Sequence, residues 1–446
     1  MKIITTTESL CPECLKKIPA HYLVENNNVY LSKTCPEHGP YRTLAWRDAA
    51  LYEQWQRESI HAPKWKNGAP SSRGCPWDCG LCSEHEGGTC TAVLEVTYRC
   101  NMRCPVCFAD SGKETFEPDQ AKIREMYTAL LEQNGPCSLQ LSGGEPTVRD
   151  DLPALVQIGK ELGFEHIQVN TNGLRIAADL PYLEQLKAAG ADLIYLQFDG
   201  LDDEIYEKLR GRKMLEIKLK AIENCRAVNI GVLLVPTIVP QVNLAEIGRI
   251  IDFAREQMPL VKGIHFQPVS YFGRIPFSSP RDEDRATLAD IVKEIEIQTR
   301  GEIKVENLIP RKRFDPHCSF SGLFYLHENG KFQAITRQNP AEKLRESGLT
   351  TVDDFVARAN RYTKNYWQLG GDGGKPGRES EPVKLLDRIK NYTLSITGMP
   401  FQDVWNLDLG RLKGCCVHVI SSRGQLVPLC AFHLTSTRGE RLYRNG

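Results

Sequence analysis

The sixteen cysteines of this 446-residue chain lie in short-spaced groups, and this spacing limits how the chain can fold. The stretch GCPWDCGLC (74–82) carries a first triplet at Cys75, Cys79 and Cys82. The same spacing returns 25 residues later in RCNMRCPVCFAD (99–110), with a second triplet at Cys100, Cys104 and Cys107. Thiols at such intervals are typical ligands of metals and iron–sulfur clusters. The chain is therefore expected to fold around metal sites.

Composition places these cysteines in an ordinary globular chain. Net charge is zero, and 41% hydrophobic with 25% charged residues is typical of soluble proteins. Nothing indicates nucleic-acid binding, and no apolar run is long enough for a transmembrane segment. The N-terminus lacks the apolar core of a signal peptide. We expect a cytoplasmic protein, in which clustered cysteines bind metal instead of forming disulfides.

The middle of the chain alternates between apolar strands and helices. Six strands are predicted, over residues 91–98, 137–146, 166–173, 191–200, 231–239 and 263–270. This alternation is typical of βαβ units and a parallel sheet, so the predicted fold class is α/β. Ligands bind at the carboxyl ends of such strands. The second triplet follows the first strand and is therefore expected at the ligand-binding end.

Four regions are predicted along the chain. Residues 1–60 form a cysteine-rich metal module of the zinc-ribbon or rubredoxin type, and 61–90 an auxiliary cluster segment. Residues 91–280 form the α/β core. Residues 281–446 form a C-terminal α+β region with a further cluster. Glycine-rich residues 370–382 are the best linker candidate.

The second triplet offers three thiolates with no fourth cysteine nearby. A 4Fe–4S cluster normally takes four, so three leave one iron open to another ligand. The next strand ends in LSGGEP, which contributes Gly143, Gly144 and Glu145. Glycines allow close backbone approach, and a carboxylate suits an ammonium group. A zinc site or a closed structural cluster is the alternative.

These motifs resemble the radical S-adenosylmethionine (SAM) superfamily. The resemblance implies a partial (βα)6 barrel in which the cluster on the second triplet chelates SAM. It also implies cofactor-binding positions beside the triplet and after the later strands: Phe108, Gly143, Gly144, Glu145, Asn172, Asp199 and Arg210. For Asn172, Asp199 and Arg210, a turn or surface role is the alternative.

The first triplet has a different context, because no strand leads into it. Cys90 follows Cys82 by eight residues and could supply a fourth thiolate, and His85 could compete for that position. We expect an auxiliary 4Fe–4S cluster here, with zinc as the alternative.

Two further groups of metal ligands flank these triplets. Near the N-terminus, paired knuckles at Cys11, Cys14, Cys35 and His38 predict zinc or a mononuclear iron. Near the C-terminus, a further cluster is predicted on Cys318, Cys416 and Cys430, with His317, His418 and His433 nearby. Cys415 and Cys416 are adjacent, so one of them is expected to be a reactive thiol. Cys137 and Cys225 are expected to be buried apolar residues.

The order of these motifs narrows the resemblance. CPEC with CPEHG, GCPWDCGLC, EVTYRCNMRCPVCFAD and the C-terminal VHVI, PLCAFHLT and GERLYR are similar to the group that contains tetraether lipid synthase and hydroxymethylpterin methyltransferase. That group implies auxiliary clusters beside the SAM cluster. After GKF (330–332) the sequence departs from the lipid synthase. The resemblance therefore implies a class of chemistry and leaves the substrate open.

The resulting functional prediction is reductive cleavage of SAM to a 5′-deoxyadenosyl radical. That radical would functionalise an unactivated C–H bond by methylation or by C–C or C–S bond formation. The substrate would be a small molecule, a lipid-like molecule or a peptide, and ferredoxin or flavodoxin would donate electrons. The alternative is an iron–sulfur electron-transfer protein or a zinc-binding interaction protein without SAM chemistry.

Overall fold

The computed structural model describes residues 2–57, 71–112, 116–275, 280–311, 315–336 and 388–444, with the single residues 357, 361, 364 and 366. The linker predicted at 370–382 lies outside the described residues.

The N-terminal region is a four-stranded antiparallel sheet followed by one helix. Its elements are β1 (Lys2–Leu10), β2 (Lys17–Glu25), β3 (Asn28–Cys35), β4 (Gly39–Arg47) and α1 (Ala49–Gln56). Glu25 pairs with Asn28, so two residues connect β2 to β3. These are Asn26 and Asn27, with φ of 50° and 61°. Asparagine tolerates this left-handed conformation, which a tight hairpin turn requires.

The six predicted core strands form one parallel sheet, in chain order. They are β5 (Thr91–Thr97), β6 (Ser138–Gly143), β7 (Ile167–Thr171), β8 (Leu193–Gln197), β9 (Gly231–Val235) and, after the two-residue β10 (Thr237–Ile238), β11 (Val261–Pro268). The intervening helices are α2 (Gln120–Asn134), α3 (Leu152–Glu161), α4 (Leu174–Ala178), α5 (Leu180–Ala188), α6 (Asp203–Arg210), α7 (Leu215–Ala227), α8 (Pro240–Asn243) and α9 (Ile247–Glu256). The α/β prediction is confirmed.

The C-terminal region adds strands to both edges of this sheet. Its elements are α10 (Leu288–Gln298), β12 (Ile309–Pro310), β13 (Phe320–Leu326), β14 (Phe332–Ala334), β15 (Thr393–Gly398), α11 (Leu409–Lys413), β16 (Val417–Ile420), β17 (Leu426–Pro428) and α12 (Leu429–His433). Strand β15 pairs in parallel with β11, and β16 pairs in parallel with β5. Residues predicted as a separate C-terminal region thus share one sheet with the core.

Buried polar contacts attach the N-terminal sheet to the C-terminal region. Lys33 donates hydrogen bonds to Ser9 and to the Val404 carbonyl, at 3.0 and 2.8 Å. The Tyr22 hydroxyl donates to Asp408 at 2.9 Å. Groups this buried need such partners, so the contacts fix the position of the module on the core.

No helix within the described residues combines the length and the hydropathy that crossing a bilayer requires.

Candidate functional site

The second triplet lies in the loop that follows β5, and two segments hold this loop. Cys107 and Arg274 exchange backbone hydrogen bonds, both of 2.8 Å, and Arg274 Nε donates to the Cys104 carbonyl at 2.7 Å. On the other side, Arg210 Nη1 donates to the Val106 carbonyl at 3.0 Å. The loop is thereby fixed to the segment after β11 and to the end of α6.

The glycine pair fixes the start of the same loop. The amide of Gly144 donates to the Thr97 carbonyl at 2.7 Å, and that of Glu145 donates to the Arg99 carbonyl at 2.9 Å. A Cβ on Gly143, where φ is 130°, would lie 2.2 Å from the Thr97 oxygen. A Cβ on Gly144 would lie 2.1 Å from the Arg99 oxygen. Only glycine permits this approach, which joins the turn after β6 to the approach to Cys100.

Glu145 connects this turn to the one after β7. One carboxylate oxygen accepts hydrogen bonds from the amide and hydroxyl of Thr147, and the other accepts from the Asn172 amide at 2.6 Å. Burial raises the pKa of Glu145, and these hydrogen bonds oppose that rise. The Asn172 side chain in turn donates to Asn101 at 2.7 Å. Glu145 and Asn172 both border the same cavity as the triplet.

Asp199 and Arg210 form a buried pair with each other. Two hydrogen bonds of 2.7 and 2.8 Å join the guanidinium to the carboxylate. Arg210 lines the cavity, whereas Asp199 is completely buried beside it. The prediction that Asp199 contacts the cofactor therefore needs correction, because its carboxylate is committed to Arg210 and to the Thr237 amide. Asp199 instead orients Arg210.

The second triplet, the glycine pair and Phe108 line one cavity of about 260 Å³. Part of its wall, here called the polar wall, carries polar side chains. Four strands each place two polar side chains in it, separated by one residue: Gln140 and Ser142, Gln168 and Asn170, Tyr195 and Gln197, and His265 and Gln267. Alternate residues of a strand share a face, so these pairs point inward. This regular pattern was visible in the sequence, and the prediction of candidate residues missed it.

His433 of α12 also reaches the cavity wall. Its ring lies 4.9 Å from that of Phe108 and stacks on Phe272 at 6.0 Å. Its Nδ1 is buried without a hydrogen-bond partner among the described groups, and Nε2 lies 3.9 Å from Glu95. Burial lowers the pKa of His433 well below its usual value, so the ring is neutral. Sequence analysis had considered His433 only as a possible cluster neighbour.

Four N-terminal side chains converge closely enough to hold one metal ion. Within the described part of the chain, the ligand atoms of Cys11, Cys14, Cys35 and His38 alone form a group of this kind, all within 4.8 Å of one another. The Cys14 and Cys35 sulfurs are 4.0 Å apart, and His38 Nδ1 lies 3.6 and 3.5 Å from the Cys11 and Cys35 sulfurs. Tetrahedral zinc places sulfurs about 3.8 Å apart and sulfur and nitrogen about 3.5 Å apart. These residues fit a single tetrahedral ion.

The thiols of the second triplet are less tightly grouped than this. They line one cavity, yet at least one pair is separated by more than the 4.8 Å that joins the N-terminal ligands. Burial raises the pKa of Cys100 to about 12 and also raises that of Cys104. Bare thiolates are therefore disfavoured, and positively charged metal would stabilise them. This donor set fits a cluster of several irons better than one ion.

The first triplet lies in a loop that packs against the C-terminus of the chain. Cys75 and Cys82 are buried and Cys79 is half-buried. The Cys79 amide donates to the Tyr443 hydroxyl at 3.2 Å, and that hydroxyl donates to the Pro76 carbonyl. Burial raises the pKa of Cys75 beyond its usual range and that of Cys79 to about 12. As in the second triplet, metal would be needed to hold these thiols as thiolates.

The predicted fourth ligands of the first triplet, Cys90 and His85, both contact the C-terminal region. The Cys90 thiol donates to the Cys416 carbonyl at 3.5 Å and packs beside the Cys416 side chain, and His85 Nε2 lies 2.8 Å from the Cys415 carbonyl. Both residues are therefore engaged with the C-terminal region. Cys90 precedes β5 and Cys416 precedes β16, so the pairing of these two strands brings the thiols together.

Four C-terminal thiols line a separate cavity of about 40 Å³, here called the thiol cavity: Cys318, Cys415, Cys416 and Cys430. Arg411 donates to the Cys318 sulfur at 3.2 Å, and the Gln402 amide donates to the Cys430 sulfur at 3.3 Å. Cys415, expected as a possible reactive thiol, lines this cavity with the other three. His317 instead stacks on Tyr52 at 3.8 Å.

Cys137 and Cys225 are 2% and 0% exposed, as expected of buried apolar residues.

The chain is similar to known proteins along most of its length. Residues 94–254 match the radical SAM superfamily, and residues 3–47 match the HMPTM N-terminal zinc ribbon domain. The chain is 36% identical to the 7,8-dihydro-6-hydroxymethylpterin dimethyltransferase of Methanocaldococcus jannaschii, over 96% of this chain and 93% of that protein. The chain belongs to this radical SAM family. It is a radical SAM enzyme that uses a 4Fe–4S cluster and SAM, with a further metal site in its zinc ribbon.

More distant similarity covers the core. The Fe-coproporphyrin III synthase of Methanosarcina barkeri is 33% identical over 41% of this chain and 44% of its own length. Among solved structures, Streptococcus suis SuiB bound to S-adenosylmethionine aligns with a TM-score of 0.40 at 18% identity, over 48% of each chain. A radical SAM enzyme of this family acts on a small-molecule or peptide substrate.

Proposed function

We propose that this chain is a radical SAM methyltransferase that acts on a dihydropterin, with its catalytic cluster on Cys100, Cys104 and Cys107. The observation that carries the proposal is the single cavity that this triplet shares with a polar wall. The polar wall suits a small heterocycle with several hydrogen-bonding groups. The M. jannaschii relative is named as acting on such a molecule, 7,8-dihydro-6-hydroxymethylpterin.

Different residues of the chain would bind the cofactor and shield it from water. When bound, the cluster and SAM together supply a 5′-deoxyadenosyl radical by one-electron reductive cleavage. Gly143 and Gly144 provide the backbone edge beside SAM, Glu145 and Asn172 fix that edge, and Phe108 covers the nucleoside. Arg210 borders this half of the cavity, oriented by Asp199. Phe272, Phe401 and His433 pack around Phe108 and would shield one side of the radical from water.

The polar wall disfavours the lipid-like substrate that the resemblance also allowed. An alkyl chain packed against Gln140, Asn170 and Gln267 would remove amide groups from water without giving them new hydrogen bonds. Each such loss costs about 1–3 kcal/mol. A pterin offers donors and acceptors along two ring edges and leaves fewer of these groups unsatisfied.

The remaining cysteines would hold auxiliary metal sites. We propose one cluster on Cys75, Cys79 and Cys82, and another in the thiol cavity, where Cys318, Cys416 and Cys430 are joined by Cys415. Cys90 contacts Cys416, so we assign it to this second group. The N-terminal group would bind zinc, as its tetrahedral spacing and its family indicate. A cytoplasmic donor such as ferredoxin or flavodoxin would supply electrons.

The test is anaerobic turnover of the reconstituted enzyme with reductant, SAM, 7,8-dihydro-6-hydroxymethylpterin and cell extract as a source of cosubstrates. We expect the pterin to increase formation of 5′-deoxyadenosine and to gain the mass of a methyl group. Cys104→Ala in the same extract is the matched control and should give neither signal. Equal 5′-deoxyadenosine with and without pterin, and no change in pterin mass, would contradict the substrate assignment.

A further inference from the structure

Arg311 lies between the cavity of the second triplet and the thiol cavity. It follows β12 directly, and it lines both the 260 Å³ cavity and the thiol cavity. Burial raises the pKa of Tyr195, and the positive charge of Arg311 partly opposes that rise. Burial lowers the pKa of His265 to about 3, and the same charge adds to that shift. The guanidinium charge is therefore close to the polar wall.

The other charged residues on this cavity already have partners. Arg210 is paired with Asp199, and Glu95 accepts a hydrogen bond from Arg444 at 3.1 Å. For Arg311, the described residues provide a partner to the backbone amide, at the Ser319 carbonyl, and none to the guanidinium. The guanidinium of Arg311 is thus a donor that a ligand in the cavity can use.

The polar neighbours of Arg311 form connected pairs. His265 Nδ1 and the Thr397 hydroxyl are 2.7 Å apart, and Tyr195 and Gln267 line the same cavity. Tyr195 and His265 also lie ring to ring, with centroids 5.8 Å apart. These contacts make the wall around Arg311 rigid. A rigid polar wall with one unpaired guanidinium is suited to recognising a particular arrangement of acceptors.

Gln140 provides an acceptor on the same cavity. Its amide nitrogen donates to the Asn170 side chain at 2.6 Å, and no described residue donates to its amide oxygen. Asn170 in turn donates to Ser142 at 3.3 Å. The wall thus carries an orientated acceptor as well as the guanidinium donor.

The arginine fork matches one edge of a pterin. Arginine reads guanine by donating two hydrogen bonds to a carbonyl oxygen and the neighbouring ring nitrogen. A 7,8-dihydropterin presents the same pair, its C4 carbonyl oxygen and N5. Its opposite edge carries an amino group that donates hydrogen bonds, which a carboxamide oxygen can accept.

We propose that Arg311 binds the C4 carbonyl oxygen and N5 of the pterin, and that Gln140 accepts from its amino-pyrimidine edge. Arg311 then determines specificity for a 4-oxo heterocycle. This inference rests on the proposed function, because it concerns the same cavity and the same substrate class.

A change in the ligand tests the inference without any change in the protein. The probes are 7,8-dihydro-6-hydroxymethylpterin and its 4-amino analogue, which has a similar shape but carries a donor at C4 in place of the carbonyl oxygen and lacks the proton on N3. Binding to the reconstituted wild-type enzyme would be followed anaerobically by pterin fluorescence. We expect the 4-amino analogue to bind about 5- to 150-fold more weakly, the discrimination typical of one bidentate arginine contact.

Variants assign this discrimination to the residue. Arg311→Gln should bind the 4-oxo pterin less tightly and should bind the two ligands equally. Arg311→Lys keeps the charge but loses the fork, and should recover only part of the preference. Arg226→Gln, on the outer helix α7, is the matched control and should discriminate like the wild type. Binding of SAM by each variant reports whether the fold is intact. If Arg311→Gln does not bind SAM, the comparison of the 4-oxo and 4-amino ligands on the wild-type enzyme tests the inference instead.

Two failures can be told apart. If the wild type binds the 4-oxo pterin tightly and the 4-amino analogue equally well, or if Arg311→Gln retains the preference, then Arg311 does not read the carbonyl edge and the inference is wrong. If the wild type cleaves SAM but binds neither pterin, the assignment of a pterin substrate is wrong. The inference about Arg311, which depends on that assignment, is then wrong as well.

Discussion

The two cysteine triplets have the same spacing and different surroundings. The first lies in a loop whose described contacts run to the C-terminus, through Tyr443. The second follows β5, borders the large cavity and is held on two sides, by Arg274 and by the glycine turn. Spacing thus indicates that each loop suits a cluster. Position on the sheet determines which cluster can reach a substrate.

The largest expected difference between the triplets concerns SAM cleavage. Cys104→Ala removes one of three thiols that border the cavity, and we expect the loss of SAM cleavage to background. Cys79→Ala removes the equivalent position of the first triplet, and we expect iron content to fall while part of the SAM cleavage remains. Measurement of 5′-deoxyadenosine, iron and sulfide in both variants checks this.

Equal loss of SAM cleavage in the two variants would contradict this difference between the triplets. If Cys79→Ala abolished SAM cleavage as completely as Cys104→Ala, with the SAM cluster still present by spectroscopy, the first triplet would belong to the catalytic unit. The spacing would then matter more than the position after β5.

The sheet and the catalytic loop were predictable because their signals are local. A strand, the triplet and a glycine turn after the next strand are all visible within residues 91–146. The six strands could be placed because short apolar-rich segments alternate with helical segments along residues 91–270. The polar pairs on alternate positions, such as Gln140 and Ser142, were equally visible but were not read as a cavity wall.

What sequence could not provide was pairing over long distances. Cys90 and Cys416 lie together because β16 joins the edge of the sheet beside β5, more than 300 residues away in sequence. Nearness in sequence had instead assigned Cys90 to the first triplet. Likewise, Asp199 and Arg210 each matched a cofactor-binding position, and only the fold shows that they bind each other.

A smaller effect is expected from a substitution in the glycine turn, which holds the loop of the second triplet in place. Gly143→Ala would place a Cβ 2.2 Å from the Thr97 oxygen at a φ of 130°, and we expect it to cost more than about 2 kcal/mol of unfolding free energy. SAM binding should weaken as the loop moves. Denaturant unfolding and SAM titration measure the two effects.

Gly163→Ala is the matched control for that change. Gly163 also has a positive φ, of 96°, but nothing lies within 4 Å of a Cβ built there. It should cost about 1–2 kcal/mol from backbone strain alone and leave SAM binding unchanged. Equal effects of the two substitutions would show that strain, and not contact with the catalytic loop, explains the glycine at position 143.

The smallest effect concerns the support of the first triplet. Tyr443→Phe removes the hydroxyl that accepts from the Cys79 amide and donates to the Pro76 carbonyl. Hydrogen bonds contribute about 0.5–1.5 kcal/mol each, so we expect the loss of two to cost about 1–3 kcal/mol and to speed the release of part of the iron to a chelator. Tyr392→Phe is the control, because no group in the described part of the chain hydrogen-bonds to that hydroxyl.

SAM cleavage per SAM cluster should be the same in both variants. If SAM cleavage per SAM cluster fell in Tyr443→Phe alone, the support of the first triplet would affect the reaction at the second. The two triplets would then be functionally coupled and not independent.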